Sequence, residues 1–164
     1  MKTGFESAYS LLAGFNFADA ESRENALWLL HWLHQAKRGE PQRPPMVVIQ
    51  GPTASGKTTL INRLTDLTQV HVHDGWELAD LTVAARREDG ALVMEGDWVL
   101  EKKAMKDLCN WLTAARWKYR KLRSQERIET PPLCTVTVWL RPDGEPMPAD
   151  LERRSIFIKL LARD

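Results

Sequence analysis

At 164 residues, with 43% hydrophobic and 27% charged side chains, the chain has the length and composition of one globular domain with its own core. A net charge of +1 excludes a globally basic nucleic-acid binder, while leaving room for a local basic patch. Cys109 and Cys134 lie far apart in sequence, and no apolar run has the form of a signal peptide or a membrane span. The expectation is a cytoplasmic protein with buried thiols and no membrane contact.

Residues 1–45 read as a helical lead-in to a core at 46–164, the two making a single domain. Asp19 or Ser22 is placed to cap a helix running to about Lys37, with Leu27, Leu30 and Leu33 on one face and Trp28 and Trp32 on an adjoining one. Gly39 ends that pattern, and Pro41, Pro44 and Pro45 form a stiff connector. The apolar run Met46–Gln50 then predicts a buried strand, and Gly51-Pro52-Thr53-Ala54-Ser55-Gly56-Lys57-Thr58 follows it with the spacing G-x-x-x-x-G-K-[ST]. Two glycines let the chain turn tightly, so that successive backbone N–H groups face an anion. Thr58–Leu64 reads as the next helix, whose dipole adds positive potential at the same point. In such a loop Lys57 reaches the β and γ phosphates, the Thr58 hydroxyl holds Mg²⁺, and Thr59 opens the helix beside them. ATP and Mg²⁺ are the expected ligands.

Beyond the loop, short apolar runs alternate with helical patterns. Val70–His73, Ala91–Glu95, Cys134–Leu140 and Ser155–Leu161 are strand candidates; Trp76–Arg87 and Leu100–Ala115 are helix candidates. Val70–His73 has the alternation of a half-buried or edge strand, and Ser155–Leu161 fits either a strand or the start of a helix. Two histidines at i, i+2 on a strand usually face solvent, so His71 and His73 predict no zinc. Strands interleaved with helices predict an α/β fold with a five-stranded, mostly parallel sheet covered on both faces.

Ala91-Leu92-Val93-Met94-Glu95-Gly96-Asp97 is an apolar strand ending in two carboxylates, at the sheet end where ligands gather. Either acid can serve the metal; Glu95 is the expected metal-side residue, acting through water, with Asp97 its neighbour, and Asp74 competes. The segment Arg116-Trp117-Lys118-Tyr119-Arg120-Lys121-Leu122-Arg123 carries five cations and two aromatics. Lys118, Arg120, Lys121 and Arg123 suit a nucleic-acid backbone, with stacking from Trp117 or Tyr119, although a charge run is more often a solvated face. Arg153 and Arg154 precede the last strand. One such arginine can complete a neighbour's site in a ring, and the plainer alternative is pairing with Asp150 or Glu152.

In this order the pieces resemble the ATPase core of phage and prophage primase-helicases, within the superfamily 3 and AAA+ helicases. The likeness runs over about residues 10–160. It opens on Phe15-Asn16-Phe17-Ala18-Asp19-Ala20-Glu21-Ser22-Arg23 and passes through the phosphate loop and the acidic strand. It continues with Leu112-Thr113, Trp117, Arg120 and Leu122, and closes on Asp150-Leu151-Glu152-Arg153-Arg154, similar to a D-L-x-R-R motif. The resemblance implies a P-loop NTPase three-layer sandwich, a homo-oligomeric ATP-hydrolysing motor on DNA or RNA, and a primase or DNA-binding domain as companion. An excised domain and a stand-alone protein both fit. The family's polar sensor, often Asn, at the end of the fourth strand is absent from Thr135–Leu140 and the following Arg141-Pro142-Asp143, with Asp143 the nearest stand-in.

Two other functions remain open from sequence. One is a monomeric small-molecule kinase or transferase with residues 116–127 as lid, since the loop also looks like that of tRNA dimethylallyltransferases. The other is a nucleotide-binding module that hydrolyses little.

Overall fold

A computed structural model describes residues 2–75, 81, 84, 90–95, 102–121, 123–144 and 146–163. Helices α1 (Lys2–Ala13) and α2 (Ala20–Lys37) lead into β1 (Met46–Gln50), α3 (Lys57–Thr68), β2 (His71–Asp74) and β3 (Gly90–Glu95). Then come α4 (Lys102–Thr113), β4 (Lys118–Arg120), β5 (Arg127–Glu129), β6 (Val136–Arg141), α5 (Ala149–Glu152) and β7 (Ser155–Lys159). The main sheet has the order β2-β3-β6-β1-β7 and all its pairs are parallel, so the expected five-stranded α/β sheet is present with no antiparallel member.

The continuous apolar runs of β1, β3 and β6 follow from burial on both faces. On one face Val47, Ile49, Val136, Val138 and Ile158 pack with Leu29, Leu33, Leu60 and Leu64, which belong to α2 and α3. On the other Val48, Leu92, Met94 and Trp139 pack with Leu108 and Trp111 of α4, and with Leu81 and Ala84. These two cores make three layers. The expected helix over 76–87 falls mostly outside the described residues; Leu81 and Ala84 within it are helical and buried.

Several local expectations change. Asp19, not Ser22, caps α2: its Oδ1 accepts the Ser22 N–H at 2.7 Å. Ser22 is buried instead, its Oγ accepting the Lys159 N–H at 2.9 Å. The core face of α2 is Ala26, Leu29, Leu30, Leu33 and Ala36, with Leu27 only partly buried. That face is set by where α2 meets β7 and α3, which helical spacing alone does not reveal. Strand β2 is an edge, as expected, but His71 and His73 are its half-covered residues while Val72 is exposed. Register fixes this, because His73 lies opposite Leu92 of the second core. Residues 155–159 resolve as strand rather than helix, pairing Ser155–Lys159 with Met46–Gln50. Unforeseen is the antiparallel pair β4–β5, which aligns Lys118 with Glu129 and Arg120 with Arg127. Cys134 is buried and Cys109 half-buried, and no disulfide joins them.

Candidate nucleotide site

The loop 51–58 leaves the carboxyl end of β1 and enters α3. Ser55 N–H donates to the Pro52 carbonyl at 3.1 Å, closing a turn, and the Leu60 N–H to Gly56 O bond at 2.8 Å starts the helix. Ala54 and Gly56 both have positive φ, 62° and 96°. Bends of that hand point consecutive N–H groups to one side, which makes a concave anion seat at the positive end of α3. A Cβ on Gly51 would lie 2.6 Å from both the Leu160 carbonyl oxygen and Ser55 Oγ, so only glycine lets β1 turn there. Lys57 Nζ donates to the carbonyls of Gly51 at 2.6 Å and Pro52 at 2.9 Å, which ties the ammonium across the mouth of the loop. Ser55 Oγ is buried without a hydrogen-bond partner among the described residues. These features fit a polyphosphate ligand: a cation, a backbone cradle with no room for Cβ atoms, and a hydroxyl seeking a partner.

Glu95 ends β3 at the same end of the sheet, opposite Leu140 of β6, and its side chain is exposed. Because β6 lies between β1 and β3, Glu95 and the loop strand are two strand spacings apart, about 10 Å. That gap suits a metal and water between the acid and a phosphate, rather than direct contact. Asp97 lies outside the described residues. Asp74 ends β2 one strand further out, where it is exposed.

The residue at the end of β6 is Arg141, which sequence reasoning passed over in favour of Asp143. Arg141 is buried, with its guanidinium 4.6 Å from the Trp139 ring centroid and Nη2 donating to the Pro146 carbonyl at 3.2 Å. Its own carbonyl accepts the Gly51 N–H at 3.2 Å, joining β6 to the root of the loop. Asp143 is exposed in the turn beyond.

Arg153 and Arg154 lie elsewhere. They precede β7, and the Met46 N–H donates to Arg154 O at 2.9 Å, so they sit at the amino end of the sheet. Five parallel residues separate them from the loop end of the same chain, about 16 Å. Arg153 Nη2 meets Asp150 Oδ1 at 2.7 Å, with both side chains exposed.

The basic segment is the β4–β5 hairpin. Its base is pinned by Thr130, whose Oγ1 accepts the Trp117 N–H and whose N–H donates to the Trp117 carbonyl, both at 2.9 Å. Trp117 is buried edge-on against Trp111 at 5.3 Å and cannot offer a face to a base, and Tyr119 packs against the same core. Of the two rings expected to stack, Trp117 is thus enclosed, while Tyr119 is only partly buried; the strand alternation turns both toward the core and leaves the cations outside. Lys118 pairs with Glu129 at 3.9 Å and Lys121 with Glu126 at 3.6 Å, while Arg120, Arg123 and Arg127 make no ion pair among the described residues. Arg120, Lys121 and Arg123 line an open groove at the tip with Ser124 and Gln125.

No protein-family signature matches the chain, and no curated relative does. Solved structures do. The C-terminal region of NrS-1 in its apo A form superposes with a TM-score of 0.61 over 95% of this chain and 38% of its own, at 16% identity. The Thermotoga maritima RuvB Holliday junction branch migration motor gives 0.57 over 88% and 45%, also at 16% identity. The JCV helicase gives 0.53 over 84% and 40%, at 18% identity. The chain spans less than half the length of each. At this level of identity the likeness concerns fold alone: the chain shares the parallel α/β sheet of these three structures.

Proposed function

We propose that the chain is the nucleotide-binding core of an ATP-hydrolysing motor that acts on nucleic acid as an oligomer. The observation that carries this reading is the 51–58 loop: a backbone cradle at the start of α3, closed by Lys57, on a parallel sheet of this strand order. In that reading Gly51 to Thr59 bind the triphosphate, Lys57 neutralises its β and γ oxygens, and Thr58 with Glu95 holds Mg²⁺, the latter through water. A bound Mg²⁺ supplies charge neutralisation at the transferring phosphoryl group. Glu95, with Asp97 beside it in sequence, orients the attacking water. Arg153 or Arg154 serves the site of a neighbouring subunit. Lys118, Arg120, Lys121 and Arg123 contact the phosphates of DNA or RNA. A primase or DNA-binding domain is the fitting companion, and the cytoplasm the fitting compartment.

The neighbours support the motor class, since RuvB is a branch migration motor and the JCV protein a helicase. The alternative of a monomeric kinase with residues 116–127 as lid is less well served. The base of that hairpin is tied to the strand end opposite the phosphate loop, where it is not placed to cover phosphates. A second reading, nucleotide binding with slow hydrolysis, is favoured by one observation: Arg141, engaged with Trp139 and Pro146, stands where the resemblance places a free polar sensor.

Calorimetry with Mg²⁺-ATP and an ATPase assay with and without single-stranded DNA test the proposal. We expect saturable binding and DNA-stimulated turnover, with Lys57→Ala weakening binding roughly 10- to 100-fold, the worth of a charged hydrogen bond. Tight binding with no turnover under any condition selects the second reading; no binding ends both.

A further inference from the structure

We propose that Arg163 is a nucleotide-binding residue that closes the phosphate loop from the β7 side and holds the α-phosphate end of the bound nucleotide. This rests on the reading of the 51–58 loop given above and assigns a residue outside that motif.

The geometry is set at Gly56. A Cβ built there would meet the Arg163 guanidinium at 2.6 Å from Nη2, 3.1 Å from Cζ and 3.2 Å from Nε. The cation therefore lies close against the loop backbone where α3 begins. It is held there by the chain, not by an acid. Leu161 N–H donates to Asn16 O at 2.8 Å, Asn16 Nδ2 donates to Ala162 O at 3.2 Å, and Phe17 bridges to Leu160. The segment 15–18 thus runs antiparallel along the continuation of β7 and fixes where residue 163 emerges. Phe15 places its ring 5.6 Å from the guanidinium carbons of both Arg163 and Arg63.

Charge points to a ligand. Arg163 makes no hydrogen bond or ion pair among the described residues, and neither does Arg63. With Lys57 next in sequence to Gly56 and the positive end of α3 at the same turn, Arg163 brings a second cation there, with no carboxylate paired to it among the described residues. An anion between them relieves that repulsion, and a guanidinium is suited to phosphate oxygens because its fork grips two at once.

Sheet order says which end of the nucleotide it is. Strand β7 flanks β1 on one side, whereas β6 and then β3 with Glu95 lie on the other. If Glu95 serves the metal and the γ-phosphate, the tail runs toward β3, and its α-phosphate end lies toward β7 and Arg163. Arg163 then contributes equally to ATP and ADP binding, unlike a group at the γ-phosphate.

The test is binding of Mg²⁺-ATP, ADP and AMP to the wild-type chain, Arg163→Gln and Arg163→Lys by calorimetry, with thermal unfolding of each. Arg163 is exposed, so the unfolding midpoints are expected to agree. We expect Arg163→Gln to weaken ATP and ADP by the same factor, about tenfold, and Arg163→Lys to fall between. Affinities unchanged within twofold, or a loss confined to ATP, overturn the assignment. A wild-type chain that binds no nucleotide overturns the phosphate-loop reading itself.

Discussion

Gly56 meets two separate demands, and both can be measured. Its φ of 96° is a conformation costly for any residue with a Cβ, and a Cβ there would strike the Arg163 guanidinium. Gly56→Ala is expected to lower stability by about 1–2 kcal/mol, the cost of the left-handed backbone, because Arg163 is a flexible group that can swing aside. Its effect on Mg²⁺-ATP affinity should exceed that of a remote Gly→Ala change such as Gly144→Ala. Gly144 shares the positive φ, at 83°, but has no atom within 4 Å of its Cβ position. Urea midpoints and calorimetry on both variants check this; equal ATP affinities would show that backbone strain alone matters at 56. The contrast also shows what was legible. Gly51 to Thr58 announce themselves because one turn of backbone encodes the whole cradle. Arg163 and Arg141 do not, because they reach the loop through the pairing of β7 and β6 with β1, which no local spacing records.

At the scale of elements, the sequence identifies β1, β3, β6 and α3 because their burial or periodicity is internal to each segment. It misses the β4–β5 hairpin because only three residues pair on each side, too few for a period, and the loop between them is charged. Yet the hairpin is what separates the basic side chains from Trp117. If Arg120 and Arg123 contact a single-stranded backbone as proposed, Arg120→Gln with Arg123→Gln should reduce the slope of log affinity against log salt by about 1.4 for two lost contacts. The loss should be the same for every sequence tested, as fluorescence anisotropy over a salt series will show. An unchanged slope would assign the hairpin to a solvated face.

Helix α2 permits a different test. The Ser22 N–H bonding to Asp19 holds that carboxyl below its ordinary 3.8, with the Ser22 side chain and Lys159 adding to the effect. A carboxylate lowered on folding contributes stability above its unfolded pKa and loses it as pH falls through the folded one. Asp19→Asn keeps an acceptor at the cap without the charge. Wild type should therefore melt higher than Asp19→Asn at pH 7, and the gap should close below about pH 4. A gap independent of pH would remove the carboxylate from the account.

For the whole molecule, the separation of the two ends of the sheet decides how the site is completed. The phosphate loop is at the carboxyl end of β1, and Arg153 and Arg154 are at the amino end of β7. The arginines of one chain lie too far from its own phosphate loop to reach it, so the role proposed for them requires a neighbouring copy. An interface of that kind would join unlike surfaces, one copy's amino end to the next copy's carboxyl end, and repeated head-to-tail contacts would close into a ring or continue as a filament. Withdrawing Arg153 from Asp150 costs little, since an exposed pair of this kind is worth about 0–1 kcal/mol. The Arg153→Ala, Arg154→Ala protein should therefore bind Mg²⁺-ATP normally and lose turnover by about 10³-fold or more, the contribution of an arginine finger. The same protein mixed with Lys57→Ala should recover part of the activity, because mixed interfaces of one orientation unite the intact loop of the arginine variant with the intact arginines of Lys57→Ala, while those of the other orientation join both defects. Neither variant alone can form such an interface. If the double variant keeps full turnover while assembled, or the mixture stays as inactive as its parts, the arginines are surface residues.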